Sequence, residues 1–174
     1  MILYHGSTEI IEFPKIIKTE VGRDFGFGFY TTTIKEQAER WAIRRAKLLA
    51  KKSSCKKSFT AVINSYNFDE DIVQTMNQKI FDSTSMEWLE FIIKCRSDLT
   101  FEHSFDIVYG KIANDTVGET ISFVLSGVMR KEDALERLNF EKINNQLCFH
   151  SEKSFQALSF INSEIVETFK GELK

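Results

Sequence analysis

The chain reads as an α+β fold on a split, mostly antiparallel sheet with flanking helices. Three observations predict this. Short runs rich in aromatic and β-branched residues are interspersed with segments whose apolar residues recur at helical spacing, without the regular βαβ rhythm of a doubly wound sheet. No internal repeat and no Pro/Gly/Ser-rich linker divides the 174 residues, and the single proline, Pro14, lies in an early connection. With 43% hydrophobic residues, including 16 Phe, the chain can bury a core without disulfides or metal. One domain over 1–174 is the expectation.

Each element has a local reason. Residues 1–4 are a short buried strand, and 26–33 a glycine-opened strand rich in aromatic and β-branched residues. Thr33 is placed to cap the helix that follows, with Glu36 completing a capping box. That helix runs to about Lys52, with Ala38, Trp41, Ala42, Arg45, Leu48 and Leu49 marking one face. Residues 59–68 alternate as a strand, Phe59, Ala61 and Ile63 against Thr60, Val62 and Asn64. In 85–94, Met86, Leu89, Ile92 and Ile93 fall at helical spacing, and 105–109 is a further strand. Residues 116–129 and 131–138 read as helices, 146–149 as a strand, 151–160 as a short helix and 165–169 as a closing strand.

Charge and cysteines exclude several classes. A formal net charge of -2 argues against a general polyanion binder. Cys55, Cys95 and Cys148 are widely spaced, with no Cys-x-x-Cys and too few histidines nearby for a zinc cluster, so reduced thiols and no metal are expected. There is no basic start followed by an apolar run of secretory type, and no stretch approaches the roughly 20 apolar residues of a membrane span. A soluble, cytoplasmic protein is the expectation, with no membrane partner.

The residues that carry chemistry cluster early. Leu3-Tyr4-His5-Gly6-Ser7 places an imidazole beside an unobstructed backbone, where main-chain groups can hold a flat carboxamide next to a ribose hydroxyl. Ser7 either joins those hydrogen bonds or closes a turn. The run 22–28, Gly-Arg-Asp-Phe-Gly-Phe-Gly, precedes a strand rather than linking strand to helix, which rules out a Rossmann fingerprint. Its glycines let a loop pass over a ligand before Tyr30, whose ring can stack on a cationic nicotinamide, while Arg23 is a candidate for a pyrophosphate. The alternative is an ordinary glycine turn with Phe25, Phe27 and Phe29 as core.

The two opening segments resemble the first and second motifs of the ADP-ribosyltransferase superfamily, in its His-Tyr-type branch. Together with 105–115 and 145–150 they are also similar to bacterial proteins of domain-of-unknown-function family 3990, grouped with that superfamily. The resemblance implies an ADP-ribosyltransferase-like fold binding NAD as co-substrate. Gly6 would hold the nicotinamide amide, His5 the adenosine ribose, and Tyr30 would stack the nicotinamide. The third motif usually supplies an acid; here it offers Gln146, which orients a ribose 2′-hydroxyl but brings no negative charge. Glu141 and Glu152 lie nearby as substitutes or as solvated helix-end residues. Asp106, Asn114 and Asp115 fall within the resemblance as packing or capping residues of the active-site loop.

The activity so implied is NAD-dependent mono-ADP-ribosyl transfer to a macromolecular target with release of nicotinamide, in a toxin-like effector paired with a small neutralising protein. The alternative is a non-catalytic NAD, ADP-ribose or nucleotide-binding module, and a third reading is a purely structural or interaction protein. The basic stretch from Arg40 to Lys57 is either a solvated face or a dock for nucleic acid or an acidic protein. The aromatic interleaving that stacks bases is missing from it.

Overall fold

The computed structural model describes residues 1–18, 23–112, 115–139 and 144–171. It is α+β, with mixed sheets and flanking helices, and divides into two compact units. The first comprises Met1–Pro14, Thr31–Gln74 and Phe155–Lys174; the second comprises Lys15–Tyr30 and Thr75–Ser154.

In the first unit β3 (Ser58–Phe68) is the central strand, antiparallel to both β1 (Ile2–Ser7) and β7 (Leu158–Lys170). Val62, Ile63 and Tyr66 of β3 and Leu3 of β1 are buried: α1 packs on the strand, and Asn64 and Tyr66 bind the segment at residues 9–11. β1 extends past the expected strand to include His5, Gly6 and Ser7, since each pairs with β3: His5 with Asn64, Gly6 with Ile63 and Ser7 with Val62. β7 is far longer than its expected 165–169. It follows β3 along its whole length, from Phe68 opposite Leu158 to Ser58 opposite Lys170, so backbone pairing overrides a sequence rich in polar residues. A short helix, α2 (Glu70–Val73), starts where Asp69 accepts hydrogen bonds from the Asp71 and Ile72 N–H groups.

Helix α1 (Lys35–Lys52) packs across β1, β3 and β7 and departs from expectation in two ways. Its N-cap is Ile34 rather than Thr33, and the Ile34 side chain makes no capping hydrogen bond. Thr32 closes the entry instead: its hydroxyl accepts from the Ile34 N–H at 3.1 Å and donates to Gln37 Oε1 at 3.0 Å. The inward face is also different from the expected one. Ala38, Ala42, Ala46 and Ala50 are buried at four-residue spacing, whereas Trp41 and Leu48 are exposed. The cause is close approach: a Cβ built on Gly6 would lie 2.0 Å from the Ala38 carbonyl oxygen and 3.0 Å from the Ala42 nitrogen. Helix and strand backbones nearly touch there, and only small side chains fit the seam.

In the second unit the sheet runs β2 (Phe29–Thr31), β6 (Asn144–Phe149), β5 (Ile107–Ile112), β4 (Gln78–Phe81). β5 and β6 are antiparallel and β4 and β5 are parallel, so this sheet is mixed. β4 was not expected at all; Gln-Lys-Ile-Phe is too short for its alternation to stand out. α3 (Met86–Ser97) is capped by Ser85, which accepts from the Trp88 N–H, and it buries Trp88, Leu89, Ile92 and Cys95. Phe91 of α3 packs its ring among Phe25, Phe81, Phe101, His103 and Phe105, with centroids 5.3–6.4 Å apart.

α4 (Asp115–Leu125) and α5 (Lys131–Asn139) add Ile121, Ala134 and Leu138 to the same core. α4 stops before the expected Met129 because Gly127, at φ 74°, forms a left-handed C-terminal cap: its N–H donates to Val124 and that of Val128 to Phe123. The expected helix over 151–160 is a 3-10 turn, Glu152–Ala157, ended by the start of β7. The expected strand over 26–33 shrinks to β2 because Gly26 turns at φ 85°.

Gly6→Ala is expected to destabilise the protein by at least about 2 kcal/mol in chemical denaturation, since the new methyl collides with backbone that cannot rotate away. Ser7→Ala, one residue along, removes a single exposed hydrogen bond and should shift the midpoint by under about 1 kcal/mol.

Candidate functional site

In the first unit the His-Gly-Ser segment lies at the end of β1. His5 is half-buried and stands opposite Asn64. Asn64 is fully buried and holds the chain just after the motif: its Oδ1 accepts from the Ile11 N–H at 2.9 Å, and its Nδ2 donates to the Glu9 carbonyl at 3.1 Å. Tyr66 fixes the same segment by donating its hydroxyl to the Ile11 carbonyl. Ser7 closes a turn, accepting from the Glu9 N–H at 3.2 Å. The main chain around His5 and Gly6 is thus held on two sides, by Asn64 and Tyr66 after it and by α1 beside it.

The second unit holds Arg23, Tyr30 and Gln146. Tyr30 packs against the aromatic core and uses its hydroxyl twice within its own loop, donating to the Gly26 carbonyl at 2.6 Å and accepting from the Phe25 N–H at 3.1 Å. Burial, followed by Cys148 and Asp24, holds the phenol well above its ordinary pKa, so it is a neutral donor. The Arg23 guanidinium lies over its ring, 5.6 Å from the centroid. Gln146 is half-buried on β6, the strand next to β2, opposite Gly110 of β5. Glu152 is exposed at the start of the 3-10 turn. Glu141 and Asn114 lie outside the described residues, as does the side chain of Asp115.

The loop over 24–28 is clamped by residues that sequence reasoning missed. His103 Nε2 donates to the Phe25 carbonyl at 3.1 Å, and His150 Nδ1 to the Phe27 carbonyl at 2.7 Å. The two imidazoles meet edge to face, centroids 4.4 Å apart. Asp24, at the start of the loop, is buried and takes both Arg96 Nε at 2.6 Å and Nη2 at 2.5 Å on Oδ1. The glycines are needed for contact as well as turning: a Cβ on Gly28 would meet Cys148 Sγ and the Phe149 carbonyl oxygen, each at 2.6 Å. A His directly after the Phe149 strand end was a visible signal for His150; nothing local marks His103.

Asp106 is a structural node, as its capping composition suggested. Its Oδ1 accepts from Ser151 Oγ at 2.6 Å and its Oδ2 from the Asn77 N–H at 3.0 Å, and the Ser151 bond holds its carboxyl below the usual range. Burial pushes the Cys95 thiol up to about 12 and the Cys148 thiol well above its ordinary value. Neither forms a thiolate nucleophile near neutral pH.

The histidine clamp sets a pH dependence. Burial first, then its neighbour His103, lowers His150 to about 4, and burial also lowers His103. Imidazoles held below their unfolded value of about 6.5 stabilise the fold above that pH, and this contribution is lost as pH falls through 6.5 towards 4, where the unfolded chain takes up protons that the folded one refuses. His150 alone contributes at most about 3 kcal/mol of that loss. Urea midpoints for the wild type should therefore drop between pH 6.5 and 4.5, and His150→Gln should flatten the slope while keeping a donor for Phe27.

Among the described residues no helix is long and apolar enough to cross a membrane, and no group of three or more His, Cys, Asp or Glu side chains is arranged to hold a metal ion. No curated protein and no solved structure matches the chain. Residues 1–160 match the family described as "Protein of unknown function (DUF3990)". That span contains the His-Gly-Ser segment, the clamped glycine loop and the Gln146 strand, and on this match the chain belongs to the DUF3990 family.

Proposed function

We propose that the protein is an NAD-dependent mono-ADP-ribosyltransferase on an ADP-ribosyltransferase-like split sheet, modifying a macromolecular target. The observation that carries the reading is the arrangement in the second unit, where Tyr30 of β2, with the Arg23 guanidinium over its ring, and Gln146 of β6 stand on neighbouring strands. In this reading Tyr30 stacks the nicotinamide, Arg23 pairs with the pyrophosphate and Gln146 orients the ribose 2′-hydroxyl. The resemblance of the 3–7 segment to the superfamily's first motif assigns the carboxamide to the Gly6 main chain and the distal ribose to His5, with Ser7 beside it. The bond from C1′ to the nicotinamide nitrogen breaks with its electron pair leaving on nicotinamide. The acceptor atom of the target then bonds to C1′ and loses its proton. A toxin-like effector with a small neutralising partner, in a cytoplasmic setting, is the biological role this chemistry suits.

The second reading is a non-catalytic NAD or ADP-ribose binder. The presence of Gln146 where a carboxylate would stabilise the oxocarbenium-like state favours it, as does the exposed position of Glu152. Mass spectrometry of a lysate incubated with the protein and isotopically labelled NAD separates the two: labelled ADP-ribose on a target together with free nicotinamide supports the enzyme, and intact NAD supports the binder.

NAD should raise the melting temperature, because a ligand bound only by the folded state at a hundredfold excess over its Kd adds about 2.7 kcal/mol. Tyr30→Ala should weaken NAD more than Tyr30→Phe does, since stacking needs the ring. Tyr30→Phe also loses its hydrogen bonds to Phe25 and Gly26, about 1–2 kcal/mol of stability, so both are compared well below their melting points. Silence of NAD, ADP-ribose and nicotinamide alike at millimolar concentration would remove both readings.

Gln146→Ala should leave NAD affinity within a few-fold yet lower transfer by roughly 10², the scale for a group acting on the transition state. Gln146→Glu should raise NAD hydrolysis. Transfer that survives Gln146→Ala but is abolished by Glu152→Ala would assign the role to the 3-10 turn instead.

A further inference from the structure

Helix α1 has two unlike faces. Its alanine face lies on the sheet of the first unit, and the outer face carries Arg40, Arg44, Lys47 and Lys51 at spacings of four, three and four residues, which places them in one stripe. All four are exposed, as are Arg45, Lys52, Lys56 and Lys57, and no Asp or Glu occurs between Arg40 and Lys57. In a chain of formal net charge -2 this is a strong local excess of positive charge.

The stripe is not purely ionic. The four cations share with Ile43 and Leu48 a surface groove of ≈ 500 Å³, and Trp41 and Leu48 are 46% and 41% exposed. Lys47 is steadied by its place over the Phe169 ring of β7, 5.2 Å from the centroid. Apolar residues exposed singly are ordinary, but Trp41 and Leu48, seven residues apart, lie on one side of the helix next to the cations, and Leu48 lines the groove with Ile43. A phosphate backbone would satisfy the cations but leave the apolar floor uncovered, and a single tryptophan provides no series of rings for bases to stack on. A partner that complements both features offers carboxylates flanking an apolar ridge.

We propose that the outer face of α1 is a docking surface for an acidic, amphipathic helical segment of another protein. This is independent of the NAD reading and would hold for enzyme and binder alike.

Trp41 reports on it directly, because Trp88, the other tryptophan, is fully buried in the second unit and supplies a constant background. The full chain is titrated with three probes: a synthetic peptide of about 18 residues, matching α1 in length, with Glu on one face and Leu on the other; a scrambled peptide of equal composition; and a single-stranded RNA of equal charge. The amphipathic peptide should bind best, with a blue shift of Trp41 emission that is lost in Trp41→Phe. The double charge reversal Lys47→Glu/Lys51→Glu and the apolar change Leu48→Ser should each weaken it by about tenfold or more, compared well below the variants' melting temperatures because Lys47 also covers the Phe169 ring. Equal binding of the scrambled peptide would reduce the surface to unspecific attraction, tighter binding of RNA would assign it to nucleic acid, and no binding of any probe would leave it a solvated face. Each of these overturns the proposal.

Discussion

Much of the first unit follows from the distance between two backbones. Gly6 lets β1 come so close to α1 that a single added carbon would collide with the Ala38 carbonyl. That approach favours small residues at 38 and 42, and the buried alanine face continues through 46 and 50 while Trp41 and Leu48 stay outside it. It holds the main chain on either side of Gly6 in one place, the requirement for any ligand bound through backbone groups. The same seam turns the large and basic residues of α1 to the surface. A packing rule in one place therefore shapes both the candidate carboxamide cradle and the candidate docking face.

The second unit has a different organising device. Its glycine loop contributes little apolar burial of its own between Gly26 and Gly28, and its order comes from hydrogen bonds aimed at consecutive carbonyls: Tyr30 at Gly26, His103 at Phe25 and His150 at Phe27. The Asp24–Arg96 pair anchors the chain just before it. His150 Nε2 is buried and has no hydrogen-bond partner among the described residues, so protonation there would create a charge with nothing to accept it. The clamp works only with neutral imidazoles. Tyr30 carries both kinds of duty, since its hydroxyl organises the loop while one face of its ring carries the Arg23 cation.

The α+β class, the long helix from Lys35 to Lys52, the strand at 58–68 and the Ser85-capped helix were legible because local propensity and long-range packing agree there. The His-Gly-Ser segment and the glycine-rich run before Tyr30 stand out in the sequence by residue type, and the structure places them at the end of β1 and at the entry to β2. Other features were not legible. Which face of α1 lies inward depended on the neighbour it meets, and a hydrophobic count favours Trp41 and Leu48 over four alanines. The capping role passed from Thr33 to Thr32 because Gln37 completes the pair. β7 gained its length from β3, not from its own composition.

The sequence by itself determined what could be written in residue types at fixed spacing: the class, most elements, the DUF3990 membership over residues 1–160, the alternation of cations along α1 and the choice of glutamine at 146. Tertiary structure alone decided the parallel β4–β5 pairing, the histidine clamp and the outward turn of Trp41 and Leu48. The physical reason is common to all three. Each depends on contacts between residues far apart in the chain, His103 with Phe25 or Gly6 with Ala38, whose energies arise only when the segments meet and leave no period or motif in the local sequence.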